Sequence, residues 1–467
     1  MLPMDASLPV PLSIALVASW LLYTYFKPKS RYHPGPTGLP IIGSLLEINN
    51  ERPWITYGEW ATQYGDIVMY WVMGKPVILL GKVEHAHNLI QKRMMNYGDR
   101  PELVVAQELV TQNGWYVGTA RTKHDTHRKQ RRILGERLRA STLRDWAHPV
   151  EIPELHLFLQ RLTQHPERFI NAQPRQSSHL SHQRGYGSPI HLTSTEAILG
   201  GLFTILEASP NIATQHGLKE TGTPMARGDG YALPRAITEA EGATISAAMV
   251  DTGTDTLTGT TVVFMIIFMC LPHTLKKAQA IVDGAVGRDR LPNFDDLGRI
   301  PYITAMIREA FRWRTVAPVA IPHAVVADDV YDGYFIPKGA TVFALSQHIY
   351  EDEELYPDHE EFKPERFLDD HGQLNTLPHA GFGFGSRKCL GQHFAEQTLF
   401  ILISSFVWAF DITAPVDGKG QKIPPSLDPM DWGAFIASPP PMDFQAVITP
   451  RSQAAVDVIN RAVEGDK

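Results

Sequence analysis

The chain has 467 residues, 43% hydrophobic and 20% charged, a balance that supports a buried core and excludes a disordered or fibrous protein. A formal charge of −7 and a pI near 6.3 exclude a protein built around nucleic-acid phosphates. Its two cysteines, Cys270 and Cys389, exclude a disulfide framework and a four-cysteine zinc site, so any functional cysteine acts alone.

Residues 8–26 read LPVPLSIALVASWLLYTYF, 19 positions without a charge and about the length of one bilayer crossing. Only Asp5 precedes them, while Lys27, Lys29 and Arg31 follow, so the positive-inside bias predicts a membrane anchor over residues 1–26 with the remainder cytosolic. A cleaved signal peptide would carry its basic residues ahead of the apolar run. Residues 27–43 contain HPGPTGLPIIG, where prolines stiffen the chain and glycines let it turn, a hinge before a body at 44–467. Residues 66–81 place two β-rich runs about Gly74-Lys75-Pro76 and predict a hairpin. The run His127-Arg128-Lys129-Gln130-Arg131-Arg132 reads as a basic helix face. Within residues 144–236 lies NAQPRQSSHLSHQRGYGSPIHLTS, a composition that predicts an irregular, atypical segment. His179 and His182 lie there without a carboxylate nearby and read as solvated side chains, not a metal pair.

The longest helical pattern runs from about Ala236 to Cys270 and is ended by Pro272. Its apolar stretch at 262–271 is ten residues long and follows Thr-rich sequence with Asp251 and Asp255, so it reads as a core helix, not a second membrane span. Further helices are predicted at 275–286, 302–314 and 393–410, with short strands in VYDGYFIP, ATVFAL and FQAVITP. The fold class is mainly α with small β-sheets.

The most informative segment is Phe382 to Gly391, FGFGSRKCLG. One thiolate in a glycine-rich loop, followed at once by a helix beginning near Gly391, is what an axial iron ligand needs. Gly385 and Gly391 let backbone amides approach the sulfur, the helix N-terminus favours its negative charge, and Arg387 can reach an anionic group. Two other readings compete: a nucleotide loop and a chance buried cysteine. A dinucleotide loop would follow a strand in a βαβ unit with an acidic residue about 20 positions on, and that context is missing.

With F-x-x-G-x-R-x-C-x-G matched at every fixed position, the sequence resembles the cytochrome P450 family of haem-thiolate monooxygenases, in most detail its fungal microsomal members of the O-methylsterigmatocystin oxidoreductase type. The resemblance implies a cytochrome P450 fold preceded by one N-terminal transmembrane helix, heme b (iron protoporphyrin IX) ligated by Cys389, and Phe382 and Gly385 in the ligand loop. It implies that Glu309 and Arg312, three apart on a predicted helix, join Arg366 of Pro364-Glu365-Arg366-Phe367 in a buried triad supporting the cofactor site. Thr252-Gly253-Thr254-Asp255-Thr256-Leu257 is similar to the family's A-G-x-[DE]-T-T, which makes Asp255 and Thr256 the proton relay. A Thr-rich helix whose hydroxyls bond back to their own carbonyls remains the alternative. The helix at 127–132 is similar to W-R-x-x-R-R with His127 for tryptophan, which makes His127 and Arg131, together with His323 after Pro322, contacts for the haem carboxylates.

The activity implied is insertion of one oxygen atom of O2 into a small apolar organic substrate, in fungal secondary metabolism or detoxification. Electrons would come from a separate NADPH-cytochrome P450 reductase docking on Arg128, Lys129 and Arg132. The location implied is the endoplasmic reticulum membrane, single-pass, with the catalytic domain cytosolic. Alternatives are a catalytically defective haem-binding pseudoenzyme, prompted by the atypical 144–236 region, and a haem-thiolate isomerase or dehydratase needing no reductase.

Overall fold

The computed structural model describes residues 31–102, 117–122, 125–166, 239–428 and 445–466, with the side chains of 126, 239–251, 254 and 255 left aside. The membrane anchor expected at 1–26 and most of the atypical segment, with His179 and His182, therefore lie outside the described residues. Two compact units emerge. The first takes the chain up to Pro101 with Val319–Ile349 and Phe384–Arg387, and the second takes Glu102–Pro318, Tyr350–Gly383 and everything from Lys388 onward.

The first unit is built on a four-stranded sheet. Strands β1 (Ile67–Val72) and β2 (Lys75–Leu80) form the expected hairpin, closed at Met73 and Gly74, both with positive φ as a tight two-residue turn requires. The sheet continues through β6 (Thr341–Ala344), parallel to β2, to β3 (His323–Ala324), antiparallel to β6. A separate two-stranded ribbon joins β4 (Asp329–Tyr331) to β5 (Tyr334–Ile336). Helix α1 (Pro53–Tyr64) buries Tyr57, Trp60 and Ala61 against Val68, Tyr70, Val77 and Leu79. The segment read as a hinge is fastened to this sheet from Arg31 on. Met69 N donates to the Pro34 carbonyl at 2.9 Å, and a Cβ on Gly35 would come within 2.1 Å of the Met69 carbonyl oxygen, so only glycine fits there.

The second unit is helical. Helices α2 (Asp125–Arg137), α3 (Ala140–Trp146) and α4 (His148–Gln164) lead to the long α5 (Glu239–Cys270), α6 (Pro272–Val286), α7 (Pro301–Trp313), α8 (Gln392–Ala409) and α9 (Gln453–Gly465). Strands β7 (Phe410–Thr413) and β8 (Val447–Pro450) pair antiparallel. Pro272 stands first in α6 and pushes Leu271 out of helical geometry (φ −121°, ψ 63°), which breaks the long helix where the sequence put the break. Residues 262–269 of α5 are buried all round against α7 and α8, as a core helix requires. Among the described residues no single helix is long and apolar enough to cross a membrane.

At the start of the atypical region, ahead of its polar stretch, stands α4: Leu155, Phe158, Leu159 and Leu162 recur at helical spacing and are all buried.

Candidate active site

The ligand loop runs Phe382-Gly383 in the second unit, 384–387 in the first, and returns to the second at Lys388. Within the second unit, Cys389 N donates to the Phe382 carbonyl at 2.8 Å, closing the loop into the N-terminus of α8, where Gly391 is the cap residue. Cys389 is exposed at the residue level, yet protein crowds its sulfur on the remaining sides. That desolvation pushes the thiol above its ordinary range, against the hydrogen bond donated by the Gly391 amide and the positive charges of Arg131 and Lys388. Arg131, on α2, donates from Nη2 to the Lys388 carbonyl at 3.0 Å, and desolvation lowers its own pKa against the attraction of Cys389. His127, one turn before it, is buried. Among the described residues no three His, Cys, Asp or Glu side chains converge to hold a bare metal ion. A lone, reachable sulfur with an amide and a guanidinium on it suits a metal that brings its other ligands with it.

Glu309, Arg312 and Arg366 come together in the same unit. Arg312 meets Glu309 through two parallel bonds, Nε to Oε2 at 2.7 Å and Nη2 to Oε1 at 2.8 Å. Arg366 Nε reaches Oε1 at 3.1 Å and Lys363 N the same oxygen at 2.8 Å. The remaining guanidinium donors find carbonyls: Arg312 those of Tyr350 and Glu361, Arg366 those of Pro357 and Asp358. Every charge is met, which is the condition for ions to sit this deep.

Thr256 lies on α5 with its hydroxyl donating to the Thr252 carbonyl at 2.8 Å, and Thr260 and Thr261 do the same to Thr256 and Leu257. The Thr256 proton is thus given to the helix's own carbonyl, while its oxygen is left able to accept a hydrogen bond. The Asp255 side chain lies outside the described residues.

The first unit gathers a second set. His323 opens β3, its Nδ1 is 2.8 Å from the Tyr97 carbonyl, and burial with the positive charges of Arg100 and Arg387 pulls its pKa down to about 3. A carbonyl partner places the proton on Nδ1, so the ring is neutral with an acceptor at Nε2. Arg387 donates from Nε to the Gly98 carbonyl at 2.8 Å and lies 3.9 Å from Asp99. Gly385 has φ +62°, and a Cβ there would stand 2.3 Å from the Ile90 carbonyl oxygen. Sequence reasoning gave no role to Arg100, whose guanidinium is buried and donates to the carbonyls of Ile321 and Pro322, two residues and one residue before His323. An arginine followed by proline gives no signal of burial. It also passed over His379, packed beside Phe382, and Glu151, buried on α4.

A sequence model of the cytochrome P450 family matches residues 33–167 and 231–444. A cytochrome P450 monooxygenase of Armillaria gallica is 31% identical over 97% of this chain and 96% of its own length. The cytochrome P450 monooxygenase claR of Ampulloclitocybe clavipes is 30% identical over 96% of this chain and 91% of its own, and COX1 of Coprinopsis cinerea 29% over 91% and 93%.

Proposed function

Because the chain belongs to the cytochrome P450 family, a family of haem monooxygenases, we propose that Cys389 is the axial ligand of heme b and that the protein oxygenates a small apolar organic substrate, taking electrons from a separate NADPH-cytochrome P450 reductase. One observation carries the ligand assignment: the Cys389 sulfur stands where α8 begins, with the Gly391 amide donated to it and Arg131 beside it. The donor set fits the group: a porphyrin-held iron would need one protein ligand on this side, and Cys389 would supply it, with the Gly391 amide and Arg131 favouring its thiolate form. Bound there, the haem supplies the redox chemistry by which dioxygen is activated.

The chain's own residues do the rest. Glu309, Arg312 and Arg366 hold α7 and the loop after it in one geometry. Arg131 keeps positive charge on the ligand loop through the Lys388 carbonyl. On the family pattern, His127 and Arg131 meet the haem carboxylates, and the same pattern assigns that role to Arg387; His323, whose Nδ1 proton goes to the Tyr97 carbonyl, keeps only an acceptor nitrogen and meets a carboxylate only when protonated. Thr256 is the proton-relay hydroxyl, fed by Asp255. The exposed Arg128 and Arg132 on α2, with Lys129 between them, form the face offered to the reductase. The apolar run at 8–26 anchors the protein to the endoplasmic reticulum membrane with the catalytic domain in the cytosol.

The test is the carbon monoxide difference spectrum of the reduced protein, followed by substrate-dependent oxygen uptake with reductase and NADPH. Wild type is expected to absorb at the long wavelength of thiolate ligation and to turn over. Cys389→His should lose both, because a neutral imidazole gives the iron less electron density. Full activity in Cys389→His would overturn the assignment.

A further inference from the structure

An imidazole is an odd occupant for the space behind the ligand loop. His379 stacks on Phe382 (centroids 5.4 Å apart, planes 26°) and meets the edges of Phe311 at 5.6 Å and Tyr350 at 6.1 Å, with Phe367 at 6.5 Å. Both ring nitrogens are shut off from solvent, and among the described residues no other residue offers either of them a hydrogen bond. Burying two unmet polar atoms is costly, so whatever this side chain contributes comes from its shape and stacking.

The box around it is anchored at both ends. On one side, Phe311 sits on α7 between Glu309 and Arg312, and the Tyr350 carbonyl accepts from Arg312. Tyr356 lies under the Arg312 guanidinium at 5.8 Å and donates its hydroxyl to the Pro378 carbonyl, which fixes the residue before His379. Gly381 N donates to the Tyr350 hydroxyl at 2.6 Å. On the other side, Phe311 also meets the Phe382 ring edge-on at 5.0 Å, and the Phe382 carbonyl accepts from Cys389 N. Contacts therefore join the Glu309–Arg312–Arg366 triad to the ligand residue, directly from Phe311 to Phe382 and also through His379, which packs on both rings.

We propose that His379 is a positioning residue that fixes the Phe382 ring, and through the Phe382 carbonyl the Cys389 backbone, so that the aromatic box and not the triad alone sets the electrostatic surroundings of the haem thiolate. This rests on Cys389 being the haem ligand. Removing one stacked partner from such a box corresponds to about a fivefold change in how often the loop leaves its native position.

Full-length protein loaded with haem is compared as wild type, His379→Phe, His379→Leu and His379→Ala, reading the reduced carbon monoxide spectrum and the haem reduction potential. His379→Phe should keep the wild-type spectrum and potential, since it preserves the stack and removes the two unmet nitrogens. His379→Leu fills the space without stacking and should shift the potential while retaining thiolate ligation. His379→Ala should shift it further and raise the fraction absorbing at the histidine-like wavelength by about fivefold. If His379→Ala fails to take up haem, the Phe and Leu variants carry the comparison. Potentials in His379→Leu and His379→Phe both equal to wild type would reduce His379 to a space filler and overturn the proposal. A wild-type protein without the thiolate band would instead overturn the ligand assignment, a separate outcome.

Discussion

Among the described residues of the second unit two glutamates are buried, and the protein treats them in opposite ways. Glu309 on α7 receives two guanidiniums and a backbone amide. Glu151 on α4 receives one hydroxyl, from Thr398 of α8 at 2.7 Å, and desolvation pushes its carboxyl up to about 7. The cost of burying a carboxylate is met at one site by importing positive charge and at the other by keeping the proton. The first solution makes a rigid frame. The second ties α4 to α8 with a group that titrates near neutrality, one turn from His148, whose Nε2 lies 2.7 Å from the Gln397 side-chain oxygen.

The sharpest break of this contrast is Glu309→Ala. It strands the fully buried Arg312 guanidinium, so a loss of about 3–5 kcal/mol and failure to incorporate haem are expected, measured by urea unfolding and haem content. Arg312→Ala should behave alike; a loss below about 1 kcal/mol in either variant would mean that the ion pair is not what holds this region.

Glu151 predicts a pH effect whose sign is fixed by its raised pKa. Its contribution is fully present below the unfolded value of 4.5 and is lost as pH rises through about 7, a swing of up to about 3 kcal/mol between pH 5 and pH 8. Glu151→Gln keeps an acceptor for Thr398 and should flatten that alkaline fall. Equal pH slopes in wild type and variant would show the carboxyl to be solvated in the folded state.

His379 provides the opposite slope. Burial, with the charges of Arg308 and Lys388, pulls its pKa down to about 3, so its contribution is present above 6.5 and declines as pH falls, by about 2 kcal/mol at pH 5. Stability measured from pH 7 to pH 5 in His379→Phe should fall less than in wild type. The smallest effect is expected of Thr256→Ala. Its hydroxyl only returns to its own helix, so stability should move by about 0.5 kcal/mol or less, while coupling of oxygen uptake to product, read as released hydrogen peroxide, should suffer by about 100-fold or more if Thr256 relays protons. A destabilisation as large as that of Glu309→Ala would instead place Thr256 among the structural residues.

The helices from α5 to α8 were legible because each declares itself locally: an apolar stripe or run sets the helix, and Pro272 sets the boundary between α5 and α6. Helix α4 was missed because its stripe is short and adjoins polar sequence. The ligand loop was legible in part: Gly383 and Gly385 stand at positive φ, where glycine is favoured, and Cys389 is marked by its chemistry. Gly385, pressed on the Ile90 carbonyl, is the clearest case.

Residue types and spacing by themselves determined the helical class, the hairpin, the candidate ligand Cys389 and the pairing of Glu309 with Arg312, because all of these follow from contacts within a few positions of chain or from the choice of atom a metal prefers. Tertiary structure alone decided which ionisable groups are buried and what each meets there. Nothing in the sequence around Glu151, His379 or Arg100 announces burial. Their protonation and roles depend on partners 247 positions away in the case of Glu151 and Thr398, and desolvation is a property of what packs around a group and not of its neighbours in the chain.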